Sequence, residues 1–266
     1  MMVVKVPIEN SNDALGCRKA GNLIISNFPR VYNAENKEEI EKANLNLEEI
    51  HLDNSNIKEA NKLIYDNAIE IIGNNEKIVF LGGDQSMTYG IGKAFMEVCN
   101  SEGKEPFLIV FDAHADVSEY SDKIPKNNQW LRALINEGFR GENIILVGLR
   151  VSSKDKNDFL EESKIRVYRM RDLNNYEEIC DIIMELSRKG EIYLSIDVDV
   201  VDSTFVPGTA HGESAGMTSR QLIYFIQRIN LLKNLRVIDI SEINPDLDFK
   251  EQTIKLGVKI LGEILS

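Results

Sequence analysis

Short apolar runs recur along the chain at Met2–Val6, Ile78–Leu81, Phe107–Asp112, Ile144–Val147, Ile165–Tyr168, Tyr193–Asp197 and Leu235–Ile240. They are rich in Val, Ile, Leu and Phe and do not alternate with polar residues, the pattern of strands covered on both faces. Between them the apolar period becomes helical. Ile57, Ala60, Leu63, Ile64, Ala68, Ile71 and Ile72 fall on one helix face, as do Leu222, Phe225, Ile226, Ile229 and Leu232. The second set follows Thr218-Ser219-Arg220-Gln221, which has the form of a capping box. Ile254, Val258, Leu261 and Leu265 predict a last helix. This alternation predicts an α/β fold, a mostly parallel sheet with helices on both faces. No shift in composition marks a boundary, so residues 1–266 are expected to form a single domain. Asn33–Asn56, rich in Asn and Glu, is expected to be a surface excursion with at most one short strand, near Leu47–Leu52.

Polar clusters follow four of the strands: Gly82-Gly83-Asp84-Gln85-Ser86, Asp112-Ala113-His114-Ala115-Asp116, Ser195-Ile196-Asp197-Val198-Asp199-Val200-Val201-Asp202, and Ser241-Glu242-Ile243-Asn244-Pro245. In open parallel sheets ligands bind beyond the carboxyl ends of the strands, so these clusters are expected to meet in one crevice. Asp112, His114 and Asp116 are two apart, as are Asp197 and Asp199, and would share a face if the strands continued. Four carboxylates and an imidazole in one place repel one another and resist burial, and neither cluster contains Lys or Arg. Divalent cations answer the charge. Carboxylates with one imidazole suit Mn²⁺ better than Mg²⁺. Taken singly, Asp84 and Asp202 read as turn formers.

Composition narrows the partners. Acidic residues number 43 and basic residues 31, a net charge of -12. Such a chain is repelled by phosphate backbones, and no basic patch points to nucleic acid. Phe107–Phe111, the longest unbroken apolar run of the core strands, is too short to span a bilayer, so no membrane partner is expected. The N-terminus has no secretory pattern. Cys17, Cys99 and Cys180 are scattered without a CxxC, which suits a reducing, cytoplasmic setting.

The four clusters, in order, resemble the ureohydrolase family of arginases, agmatinases, formimidoylglutamases and guanidinobutyrases, across nearly the whole chain. Gly82–Ser86 resembles that family's Gly-Gly-Asp-His-Ser, and Asp112–Asp116 its Asp-Ala-His-x-Asp. Ser195–Asp202 with Pro207-Gly208-Thr209 resembles its long aspartate signature, and Glu242–Pro245 its Glu-x-Asn-Pro. The resemblance implies a three-layer α/β/α sandwich on an eight-stranded parallel sheet. It implies hydrolysis of a guanidino or formimino group by a metal-activated hydroxide at two Mn²⁺ ions. Asp112 and Asp197 would bridge the metals. His114 and Asp199 would complete one shell, and Gln85 and Asp116 the other. Asp116 would also hold the hydroxide, Glu242 would face the substrate's guanidinium, and Asp202 would steady the aspartate loop. The resemblance further implies a homo-oligomer, a trimer or hexamer.

The chain departs from the family pattern at several points. Gln85 stands where a metal-binding His is usual, so one site is expected to be weakened. The stretch Lys126–Arg132 lacks the family's second His, a proton-transfer or substrate-binding residue. His211, in Pro207–Gly212, is a candidate replacement acid or base, whereas His51 is expected to face solvent. Ser203 replaces the proline after Asp202. Gly148-Leu149-Arg150-Val151-Ser152-Ser153 lacks arginase's aspartates. With Glu119 and Asp122 as an acidic pocket edge, this favours an agmatinase-like reaction that releases urea from a guanidino-amine. Arginine, guanidinobutyrate and formimidoylglutamate remain alternatives, as does a non-catalytic family member.

Overall fold

In the computed structural model, which describes residues 1–121 and 124–266, the expected runs form one parallel sheet. The strands are β1 (Met2–Val6), β4 (Asn46–Glu49), β5 (Ile78–Gly82), β6 (Pro106–Phe111), β7 (Ile144–Leu149), β8 (Arg166–Arg169), β9 (Glu191–Asp197) and β10 (Leu235–Ser241). Their order is β4-β1-β5-β10-β9-β6-β7-β8, eight strands with every pairing parallel. Parallel pairing requires crossover connections, and helices supply most of them.

Successive strand residues point to opposite faces, and each face buries its own apolar core. Val3, Val79, Leu81, Ile109, Phe111, Leu194, Ile196, Ile238 and Ile240 pack with α1 (Ala20–Asn27), α6 (Tyr176–Ser187), α7 (Ser219–Ile229) and α8 (Gln252–Leu265). Val4, Ile78, Phe80, Leu108, Val110 and Val237 pack with α2 (Ile57–Asn74), α3 (Met87–Ser101), α4 (Trp130–Asn136) and α5 (Lys154–Glu162). These are the three layers expected.

The excursion differs from expectation. It holds two strands: β4 joins the sheet edge, and β3 (Glu39–Glu41) pairs antiparallel with β2 (Val31–Asn33), outside the main sheet. The apolar signal was weak because β3 and β4 are largely exposed and carry Glu and Asn. The helix after Thr218 stops at Ile229, so Leu232 lies beyond it.

One charge is built into the sheet interior. Asp239 of β10 is fully buried and accepts hydrogen bonds from Ser195 Oγ at 3.1 Å, Thr88 Oγ1 at 3.2 Å and the Tyr193 hydroxyl. Burial pushes its carboxyl up to about 6 despite these donors.

Two stability predictions follow from these local arrangements. Thr218 accepts from Gln221 N at 3.2 Å while Gln221 Oε1 accepts from Thr218 N at 2.9 Å. Thr218→Ala is expected to cost about 1 kcal/mol in urea unfolding. Asp239 binds its proton more tightly folded than unfolded, so its stabilising effect is complete below about pH 4 and is lost as pH rises through 6. Wild type should therefore lose about 2 kcal/mol relative to Asp239→Asn between pH 4 and pH 7. Parallel pH profiles of the two proteins would contradict this.

Candidate active site

The sheet order sets β5, β10, β9 and β6 side by side, so the segments after their carboxyl ends share one crevice. Behind β5, a side chain at Gly83 would collide with the Ile8 carbonyl. Only glycine lets the backbone pass here, with Gly83 N donating to Val6 O at 3.0 Å and Glu242 N to Gly83 O at 3.1 Å. Behind β9, Asp197 accepts from Asp199 N at 2.8 Å, closing a tight turn over Val198–Val200. Behind β6, Asp112 Oδ1 accepts from His114 N at 2.6 Å. Asp199 then ties the two segments together. Its Oδ1 accepts from Ala113 N at 3.0 Å, and its Oδ2 lies 2.8 Å from His114 Nδ1.

Asp112, His114 and Asp199 thereby bring one ligand atom each within 4.8 Å of the others. Strand alternation is not what aligns them. β6 stops at Phe111, and Asp116 turns back with a left-handed backbone, φ 49°. Glu242 is left-handed too, φ 61°. Such conformations cost energy for residues with a Cβ and persist where surrounding bonds enforce them. Trp130 Nε1 donates to Asp116 Oδ2 at 3.0 Å, and Glu242 Oε1 accepts from Gln85 N at 2.8 Å and Asn127 Nδ2 at 3.2 Å.

The electrostatics are those of a cation site. Asp112, Asp116, Asp197, Asp199 and Glu242 are all buried, and among the described residues no Lys or Arg nitrogen lies within 4.0 Å of their carboxylates. Burial, reinforced by the Asp199 charge, pushes Asp112 up to about 6. Burial and the Asp84 charge push Glu242 to about 8. Asp116 and Asp197 are raised well above the carboxylate range by burial and neighbouring carboxylates. Burial opposes protonation of His114, but Asp112 and Asp199 outweigh it and push the imidazole to about 11. Four buried polar atoms have no hydrogen-bond partner here: Asp112 Oδ2, Glu242 Oε2 and both amide atoms of Gln85. Orphaned acceptors beside a carboxylate–imidazole cluster fit a bound divalent cation.

Above this floor is a cavity of about 270 Å³, lined by Asp116, Asp197, Asp199, His114 and Glu242 below, and by His211 and others above. The arginase family description matches residues 1–266. The chain belongs to the arginase family. A formimidoylglutamase of Halalkalibacterium halodurans is 30% identical over 194 residues, 70% of this chain and 60% of that protein. The match thus spans about three fifths of that relative's length. A guanidinobutyrase of Pseudomonas aeruginosa is 28% identical over 223 residues, covering 82% and 68%, and an arginase of Staphylococcus aureus is 27% identical over 210 residues, covering 72% and 68%. The crystal structure of a formimidoylglutamase from Bacillus subtilis superposes with a TM-score of 0.89 at 23% identity, over 99% of this chain and 85% of that one. A proclavaminate amidino hydrolase from Streptomyces clavuligerus gives 0.86 at 21%, over 99% and 89%. At these identities the structures establish the shared fold.

Other residues of this arginase-family chain fall at varied distances from the cluster. Asp202 sits in the loop, accepting from Thr204 N at 3.0 Å, Thr204 Oγ1 at 2.7 Å and Gly216 N at 3.2 Å. His211 is exposed at the cavity mouth, its ring 6.1 Å from that of His114. His51 is exposed and remote, as expected. Of the expected acidic edge, Glu119 is found elsewhere. Glu119 does not line the cavity. Its side chain is 90% exposed, with Oε1 3.8 Å from Arg132. Asp122 lies outside the described residues.

Sequence reasoning missed the supports Trp130 and Asn127, and it also missed Arg150. The Arg150 guanidinium donates to the carbonyls of Asp199 at 2.7 Å, Val200 at 3.2 Å, Glu213 at 3.1 Å and Ser214 at 3.1 Å. It locks the aspartate loop to the segment carrying His211. Its place after Gly148-Leu149 was visible, but its targets are backbone atoms and carry no sequence signal.

If the cluster holds metal through this clamp, Mn²⁺ added to chelator-treated protein raises its melting temperature. Arg150→Met then weakens Mn²⁺ binding about ten- to hundred-fold by calorimetric titration. An unchanged affinity would show that the clamp does not shape the site.

Proposed function

We propose that this chain hydrolyses a C–N bond of a guanidino or formimino group with the aid of divalent cations, Mn²⁺ being the candidate. On this reading Asp112 and Asp197 would serve both cations. His114 and Asp199 would help hold one, and Asp116 and Gln85 the other, where an amide oxygen would bind more weakly than imidazole. When bound, the cations would supply charge stabilisation and lower the pKa of a nearby water.

The chain's own groups do the rest. Asp116, held by Trp130, accepts the hydrogen bond that orients the attacking water. Glu242 is the observation that carries the proposal. Its Oε1 is fixed by Gln85 N and Asn127, its buried Oε2 has no partner, and the residue lines the cavity. A cationic planar N–H group is the natural occupant, and the pairing fixes the reacting carbon over the cluster. His211 is the proposed proton donor to the leaving amine, since Asn127 supplies no titratable group in that role. Arginine, guanidinobutyrate, formimidoylglutamate and agmatine, the guanidino-amine favoured by the sequence, are the candidate substrates. The active form is proposed to be a single-domain protomer in a trimer or hexamer in the cytoplasm. No helix among the described residues is long and apolar enough to cross a membrane.

Urea or formamide release from these four compounds, with metal content determined, tests the reading. Turnover is expected to appear with added Mn²⁺ and to fall at least a thousandfold in Asp197→Ala. Glu242→Gln is expected to raise KM and lower kcat together. No release from any compound by protein carrying bound metal would refute it.

A further inference from the structure

We propose that Lys126 and Lys156 form a carboxylate subsite at the mouth of this cavity, so that the substrate is a guanidino or formimino acid rather than a guanidino-amine. The inference deepens the hydrolytic reading and rests on it for the orientation of the substrate.

The residues that line the cavity are polar, and the buried ones differ in charge from the more exposed ones. Acidic groups form the floor, where a cationic head group would sit. The cavity's more exposed lining comprises Lys126, Lys156, Asn128, Ser11 and His211, with Asp13 as the one acid there among the described residues. The two lysines come from separate parts of the fold. Lys126 lies in the segment before α4. Neighbouring backbone anchors hold that segment, with Pro125 O accepting from Asn10 Nδ2 at 2.8 Å and Lys126 N donating to Gln129 Oε1 at 2.9 Å. Lys156 lies in the first turn of α5, whose N-cap Ser153 accepts from Lys156 N at 3.4 Å.

Lys5, Lys19, Lys62, Lys93, Lys104, Lys164 and Lys259 each have a carboxylate oxygen within 4.0 Å. Among the described residues neither Lys126 nor Lys156 has an acidic oxygen within 4.0 Å. Lys156 also sits in the first helical turn, where the helix dipole favours acids over bases. Two cations without carboxylate partners thus converge on one small space, and local helix electrostatics do not explain the one on α5.

A volume of about 270 Å³ is below the ~300–1,000 Å³ usual for ligand pockets, so a small molecule that fills it touches floor and mouth at once. A carboxylate tail meets two ammonium groups there. An ammonium tail, as in agmatine, meets like charge, and such repulsion discriminates against it. Asp13 distinguishes two kinds of acid. It would accept an α-ammonium group if the substrate is an α-amino acid, and it would face solvent if the tail is a plain carboxylate.

The test separates binding from turnover. On metal-loaded wild-type protein, 5-aminovalerate is expected to bind at least tenfold more tightly than 1,5-diaminopentane by calorimetry. Lys126→Glu/Lys156→Glu, checked for unchanged metal content and circular dichroism, is expected to reverse that order. In kinetics, 4-guanidinobutyrate and arginine are expected to exceed agmatine at least tenfold in kcat/KM, and each single Lys→Met change is expected to raise their KM. Equal or preferred binding of the diamine, or agmatine turned over as well as the acids, overturns the subsite while leaving the hydrolytic reading intact. A tenfold preference for aminovalerate with no hydrolysis of any compound supports the subsite and removes the hydrolytic reading instead.

Discussion

Like charges buried together at one edge of a sheet are the constraint around which this molecule is organised. Asp112, Asp116, Asp197, Asp199 and Glu242 are all nearly inaccessible to water, and His114 is the one cationic partner in contact with them among the described residues. Carboxylates so placed raise one another's proton affinity, and no arrangement of apolar neighbours relieves this. The relief must come from cations or protons, which is why a stability problem and a catalytic opportunity occupy the same place.

The fold meets the constraint with backbone rather than with side-chain counter-charge. Main-chain amides of Ala113, His114, Asp199 and Gln85 donate to the acidic side chains, and Arg150 spends its guanidinium on carbonyls of the loop instead of on the carboxylates. A cationic side chain placed directly on the cluster would compete with a metal. Amides and a clamp on the loop backbone hold the geometry without filling the ligand positions. The left-handed turns at Asp116 and Glu242 belong to the same solution, since they aim two acids inward from segments that have already left their strands.

The cavity's polarity follows from where the supporting loops run. Elements that close over the strand ends bring their own charges to the mouth, so the floor and the wall are set by different parts of the chain. On the proposed reading, reaction class belongs to the floor and the choice among substrates to the wall. Relatives with distinct activities can therefore share the sheet and the cluster while differing in the loops above.

The amino-acid pattern by itself determined the layered architecture, because continuous apolar strands and amphipathic helices have no other way to bury their surfaces. It also singled out Asp112, His114, Asp116, Asp197, Asp199 and Glu242 as candidates, since each stands at or just beyond the end of a strand and such ends converge in a parallel sheet. The second excursion strand was illegible because it is short and exposed. Arg150, Trp130 and Asn127 were illegible as supports because their bonds cross between segments distant in sequence. The charge of the pocket wall was decided only in three dimensions. Glu119 looked like an edge residue by its position after the aspartate cluster, yet it points to solvent, while Lys156 arrives from a helix with no sequence tie to the site. Strand order and loop path bring such residues together, and neither is written in local periodicity.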